Sequence, residues 1–182
     1  MFDLQELYQE IVMDHNRRPR NYGALENPTN EANGFNPVCG DEVTVFLEVM
    51  EGKIIDVSFN GVGCAISKSS ASMMTESIKG KSLEQTRTIF ESFRKMITKK
   101  PGEEFKSEIL GDLEILQGVS QYPARIKCAT LSWHALQSAL NDDEDETITT
   151  ELKFCLLRKN GYRRNSFKEV FRCTFQLKLI MV

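Results

Sequence analysis

Histidine is scarce in this sequence, occurring only at His15 and His134 among 182 residues. A Ser-His-Asp or Cys-His catalytic arrangement therefore has little to be built from. No apolar run approaches the roughly 18 residues that a membrane span needs. The opening Met1-Phe2-Asp3-Leu4-Gln5-Glu6 has neither a basic region nor an apolar core, so no secretory signal is expected and a cytoplasmic location is. There is no internal repeat, and no phosphate-binding loop or Ser-x-x-Lys motif stands out. Cysteine numbers five, an odd count that argues against a disulfide framework, as does a reducing compartment. Metal binding, thiol chemistry or simple burial is left for these sulfurs.

Charge is unevenly spread around a net −3. Residues 1–146 carry 15 basic and 24 acidic side chains, and residues 147–182 carry 8 and 2. An acidic body argues against a nucleic-acid surface, and with no long apolar run neither a nucleic-acid nor a membrane partner is expected. The change of sign suggests three parts: a working domain over 1–141, an acidic linker over 142–151, and an atypical basic and apolar tail over 152–182. The tail, with Cys155 and Cys173, is assigned no function.

Asp3 followed by Glu6 has the form of a capping box. Leu4, Leu7, Tyr8, Ile11, Val12 and His15 then share one helical face, and the helix should end before Arg18-Pro19. Residues 20–37 read as loop, with a short strand near 32–35. Val43, Val45, Leu47 and Val49 alternate with more polar neighbours. Glu51-Gly52 turns the chain, and Ile54, Ile55, Val57 and Phe59 form the return strand of a hairpin. Helices are expected over 65–79, 82–98, 107–118 and 124–140, the last with Pro123 at its start. Strands and helices segregated in this way predict an α+β fold.

Three cysteines fall at the ends of these elements: Cys39 in Pro37-Val38-Cys39-Gly40-Asp41, Cys64 in Gly61-Val62-Gly63-Cys64-Ala65, and Cys128 in Arg125-Ile126-Lys127-Cys128. The ends of an antiparallel hairpin are neighbours, so Cys39 and Cys64 should approach each other. Asp41, two residues from Cys39, should share its face if the backbone there is extended. Three thiolates and a carboxylate suit a tetrahedral zinc site. Helix N-termini near Cys64 and Cys128, and the charges of Arg125 and Lys127, favour thiolate. The ligands are too dispersed for a zinc finger, so such a site forms only once the domain has folded. Against this stands the ordinary fate of an intracellular cysteine, a small buried hydrophobe. His15 and His134 read as packing residues, and the serines of Ser67-Lys68-Ser69-Ser70 carry no recognisable motif.

These stretches, together with Leu7–His15, Arg18-Pro19-Arg20-Asn21-Tyr22-Gly23, Asn36–Asp41, Gly61–Ser67 and Arg125–Ala129, resemble the SufU branch of the IscU/NifU-type iron–sulfur assembly proteins. IscU-type scaffolds have histidine immediately before the third cysteine, where Lys127 stands here, and lack a segment like that around 99–121. The resemblance implies a small antiparallel β-sheet with helices packed mainly on one face, of the SufE/NifU kind. It implies zinc held by Cys39, Asp41, Cys64 and Cys128. It also implies persulfide sulfur accepted from a PLP-dependent cysteine desulfurase of the SufS type and passed to a downstream iron–sulfur scaffold complex. Docking of the desulfurase would free Cys39 as sulfur carrier, with Arg125 orienting the partner or the thiolate. Two alternatives stay open: a scaffold on which the same cysteines hold a [2Fe–2S] cluster, with a ligand missing at Lys127, and a structural zinc adaptor.

Overall fold

The computed structural model describes residues 4–100, 103–141 and 148–149. The Asp3 cap, the acidic stretch 142–147 and the tail with Cys155 and Cys173 lie outside them. The chain divides after Leu152 into two units, and the sheet and helices belong to the first.

The order of elements is α1 (Leu4–Arg17), β1 (Asn30–Asn36), β2 (Asp41–Met50), β3 (Lys53–Val62), α2 (Ala65–Ile78), α3 (Leu83–Ile97), a 3-10 helix (Gly111–Gln121), α4 (Pro123–Leu140) and β4 (Ile148–Thr149). The sheet runs β3-β2-β1-β4. β1, β2 and β3 form an antiparallel meander, and β4 joins the edge of β1 in parallel. Ile148 and Thr149, expected in a linker, thus belong to the sheet. Glu51 and Gly52 both have positive φ, at 50° and 74°. They form the primed two-residue turn that matches the twist of paired strands.

Alternation sets the layers. Val43, Val45 and Leu47 of β2 and Ile54, Val57 and Phe59 of β3 are all buried, whereas Met50 and Ile55 are exposed. The inner face is covered by α2 and α4. α2 is a helix of small residues in the middle of the molecule, and its serines serve the crossings with its neighbours. Ser69 donates to the Val12 carbonyl (2.5 Å) and Ser70 to the Ala129 carbonyl (2.6 Å), while Trp133 Nε1 donates to Ser70 Oγ (3.3 Å). Trp133 stacks on Phe93 with ring centroids 4.6 Å apart and so ties α4 to α3. α3 opens on a complete capping box between Ser82 and Gln85.

The segment expected as an α-helix over 107–118 is instead 3-10 over Gly111–Gln121. Leu110, Leu113 and Leu116 are buried, with Val119 packed against the same core. A repeat of three places these side chains along one edge of a 3-10 helix, which an α-helix would not do.

Candidate metal centre

The four-residue turn between β1 and β2 brings the first two site residues together. Asn36 and Asp41 are a register pair across it, and Gly40 N–H donates to the Asn36 carbonyl at 2.8 Å. Cys39 sits within the turn and is half-buried. Its nearness to Asp41 comes from that turn and not from the extended strand expected there. Asp41, the first residue of β2, is fully buried.

Cys64 is the N-cap residue of α2, with extended backbone dihedrals. Its main-chain N–H donates to Asp41 Oδ1 at 2.8 Å. Cys128 lies near the start of α4 and is fully buried. Its sulfur stands 3.2 Å from that of Cys39, far beyond the bonded S–S length near 2.05 Å. The ligand atoms of Cys39, Asp41 and Cys128 all lie within 4.8 Å of one another, forming the one such group among the described residues. The structure thus brings three of the four expected ligands together. The Cys64 thiol lies outside that group, although its backbone is bonded to Asp41.

Around these atoms the chemistry is that of a cation site. Burial pushes the Cys128 thiol well above its ordinary range, and hydrogen bonds with Asp41 and Cys39 hold its proton further. A divalent cation reverses that balance, because a coordinating thiol is deprotonated outright. Gly63 leaves room for the carboxylate: a Cβ there would stand 3.0 Å from Asp41 Oδ1 and 3.2 Å from Ser67 Oγ. The Ser67 hydroxyl is itself buried and has no hydrogen-bond partner. Two sulfurs and a carboxylate oxygen at this spacing, with an orphan hydroxyl nearby, fit a thiophilic divalent ion such as zinc.

Arg125, in the first turn of α4, places Nη1 3.6 Å from Cys39 Sγ. Its guanidinium is held further in the charged form by a hydrogen bond with Cys128 and by the charges of Cys64 and Cys39. His15 and His134 are elsewhere. The first bonds Ser72 Oγ through Nδ1 at 2.8 Å, and the second meets the Phe90 ring edge-on.

Asn36 was not singled out from sequence. Its side chain, fully buried, donates to Asp41 Oδ2 (3.1 Å) and Cys128 Sγ (3.4 Å) and accepts from Val38 N–H (3.3 Å). The available signal was an asparagine before proline at a strand end, which marks a turn but carries no hint of two metal-ligand neighbours.

Comparison with known proteins agrees with this architecture. The chain is 45% identical over 144 residues to the zinc-dependent sulfurtransferase SufU of Bacillus subtilis, covering 78% of this chain and 95% of that one. It is 39% identical over 137 residues to the iron–sulfur cluster assembly scaffold protein IscU of Streptococcus pyogenes, covering 75% and 84%. A crystal structure from Fervidobacterium islandicum, described as a candidate iron–sulfur cluster assembly scaffold protein for the SUF system, superposes with a TM-score of 0.67. It is 36% identical and covers 76% of this chain and 99% of that one. Residues 7–142 match the family model of the NifU-like N terminal domain, and with that meander, those helices and that cluster of thiols, the chain belongs to this family.

Proposed function

We propose that this protein is a zinc-dependent sulfurtransferase of iron–sulfur cluster assembly, with Cys39 as the sulfur carrier. The observation that carries the reading is the convergence of Cys39, Asp41 and Cys128 within 4.8 Å, with Cys39 alone of the three partly exposed and Arg125 against it. Cys39, Asp41, Cys64 and Cys128 would hold the metal, with Cys64 completing the set by a movement of its side chain on the α2 N-cap. When bound, zinc keeps these thiols deprotonated and shields them from stray oxidation.

The transfer itself is an exchange between sulfurs. The partner is a PLP-dependent cysteine desulfurase that bears a persulfide. The Cys39 thiolate attacks the outer sulfur of that persulfide. A new S–S bond forms at Cys39, the partner's S–S bond breaks, and the partner cysteine leaves as thiolate. The Arg125 guanidinium beside Cys39 stabilises the negative charge before and after the step. The extra sulfur then passes to a downstream cluster scaffold. The cytoplasm is the proposed place of work, because its reducing conditions keep such thiols free. Among the described residues no helix is long and apolar enough to cross a membrane.

The test mixes the protein with its desulfurase and cysteine and maps each cysteine peptide by mass spectrometry. One additional sulfur is expected on the Cys39 peptide. Cys39→Ala should lower stimulation of desulfurase turnover by about tenfold or more, as loss of a nucleophile does. A Cys39→Ala protein that keeps its metal and full stimulation overturns the carrier assignment. A [2Fe–2S] scaffold would instead be isolated with iron and visible absorbance.

A further inference from the structure

The three converging ligands are not held alike. Cys128 is fully buried on α4, and Asp41 is fully buried with both carboxylate oxygens hydrogen-bonded, Oδ1 from Cys64 N–H and Oδ2 from Asn36 Nδ2. Cys39 is half-buried on a turn beside the exposed Val38. A single carboxamide joins the first two. Asn36 Nδ2 lies 3.1 Å from Asp41 Oδ2 and 3.4 Å from Cys128 Sγ, so one amino group donates to both. The orientation of the amide is set by Val38 N–H, which needs an acceptor and finds Asn36 Oδ1 at 3.3 Å.

From this geometry we infer that Asn36 is a positioning residue that ties Asp41 and Cys128 together as the fixed pair of the centre and so leaves Cys39 as the thiol that can depart. The residue type matters. An amide has two N–H donors for anionic neighbours and an oxygen for the turn, and it carries no charge of its own. Aspartate would keep the acceptor but place a second carboxylate against Asp41. Alanine would lose both functions. Hydrogen bonds to anionic sulfur and oxygen are of the stronger, charge-assisted kind, so two buried ones from one group bias the exchange toward Cys39, which has none from it and meets only the longer, exposed contact from Arg125 at 3.6 Å. The inference rests on the proposed metal site and deepens it by naming what selects the mobile ligand.

The test uses the zinc-loaded full chain and iodoacetamide, with peptide mapping by mass spectrometry and zinc release to a competing chelator. In the wild type, Cys39, half-buried and without a bond to the Asn36 amide, should be alkylated faster than the fully buried Cys128 by about tenfold or more. In Asn36→Ala the two rates should converge, and zinc affinity should fall about 10–100-fold. Asn36→Asp keeps the bond to Val38 and the side-chain volume but loses the donors, and it should show the same convergence. A role confined to shaping the turn predicts wild-type selectivity in Asn36→Asp, and that result overturns the inference. So does unchanged selectivity in an Asn36→Ala protein that melts like the wild type, or a wild type in which Cys128 reacts as fast as Cys39. Alkylation requires no sulfur transfer. Persulfide mapped away from Cys39 would therefore sink the proposed function and leave the selectivity result standing, and the converse also holds.

Discussion

His15 shows how a residue can resemble a site and serve packing instead. It lies on the buried side of α1, bonded to the same Ser72 hydroxyl that accepts from Arg20 N–H at 2.8 Å. Burial holds its imidazole below the ordinary value. The charge of Arg20 adds to that shift, and Glu76, Asp14 and Asp112 oppose it. The unfolded chain then binds more protons than the native one once the pH drops below about 6.5. Stability from this group is therefore complete above that value, declines as pH falls through it, and levels off below the folded pKa. Urea unfolding of wild type and His15→Asn between about pH 7.5 and 5 should show a shallower acid loss in the variant. Parallel curves would remove His15 from the account. The same scale holds what was hardest to read in advance. Cys39, Asp41, Cys64 and Cys128 announce themselves by residue type, whereas Asn36 is one of many asparagines. Its importance comes from three atoms that other elements place around it.

At the scale of elements, the hairpin and the helices were legible because their periods are simple. The 3-10 helix was not, because two apolar residues three apart suit either kind of helix and only the continued repeat through Leu110, Leu113, Leu116 and Val119 tells them apart. β4 was not either, because two residues in register with β1 leave no pattern of their own. The point where β2 and β3 close on the site is unusually tight. Gly61 pairs with Val43 at φ 148°, and a Cβ there would lie 2.0 Å from the Glu42 carbonyl oxygen. Both the dihedral and the contact exclude a side chain. Gly61→Ala should cost about 2–3 kcal/mol by overpacking. It should also weaken metal retention, because the strand end it displaces leads directly to Cys64 and its bond to Asp41. Chemical denaturation and metal analysis of the same sample measure the two effects. A variant with normal stability and normal metal content would show that the strand end can relax freely.

For the molecule as a whole, the core and the centre are separate structures that share scaffolding. Val45, Leu47, Phe59, Met74, Phe93 and Trp133 are buried between the sheet and the helices, and none of them belongs to the group that could hold an ion. The centre draws on the β1–β2 turn, the start of α2 and the start of α4, which are held in place by that core and bonded to one another at Cys64 N–H to Asp41 and Asn36 to Cys128. A bound ion should act as a ligand of the folded state, contributing about 4 kcal/mol when free zinc is a thousandfold above its Kd. Stripping it with a chelator should lower Tm while leaving the far-ultraviolet dichroism of the helices intact. Collapse of that signal on chelation would mean that the metal organises the fold rather than being received by it.

The sequence by itself determined the alternating strands, the turn at Glu51-Gly52, most helix limits, and the placing of three cysteines at element ends. Each of these depends on neighbours a few residues away, through backbone preference and side-chain period. Only the tertiary structure decided that Cys39 meets Asp41 through a turn rather than along a strand. It alone set the Cys128 sulfur 3.2 Å from that of Cys39 and put Asn36 between Asp41 and Cys128. Those distances join residues up to 92 positions apart, and they arise from how α4 packs on the sheet, which no local pattern encodes.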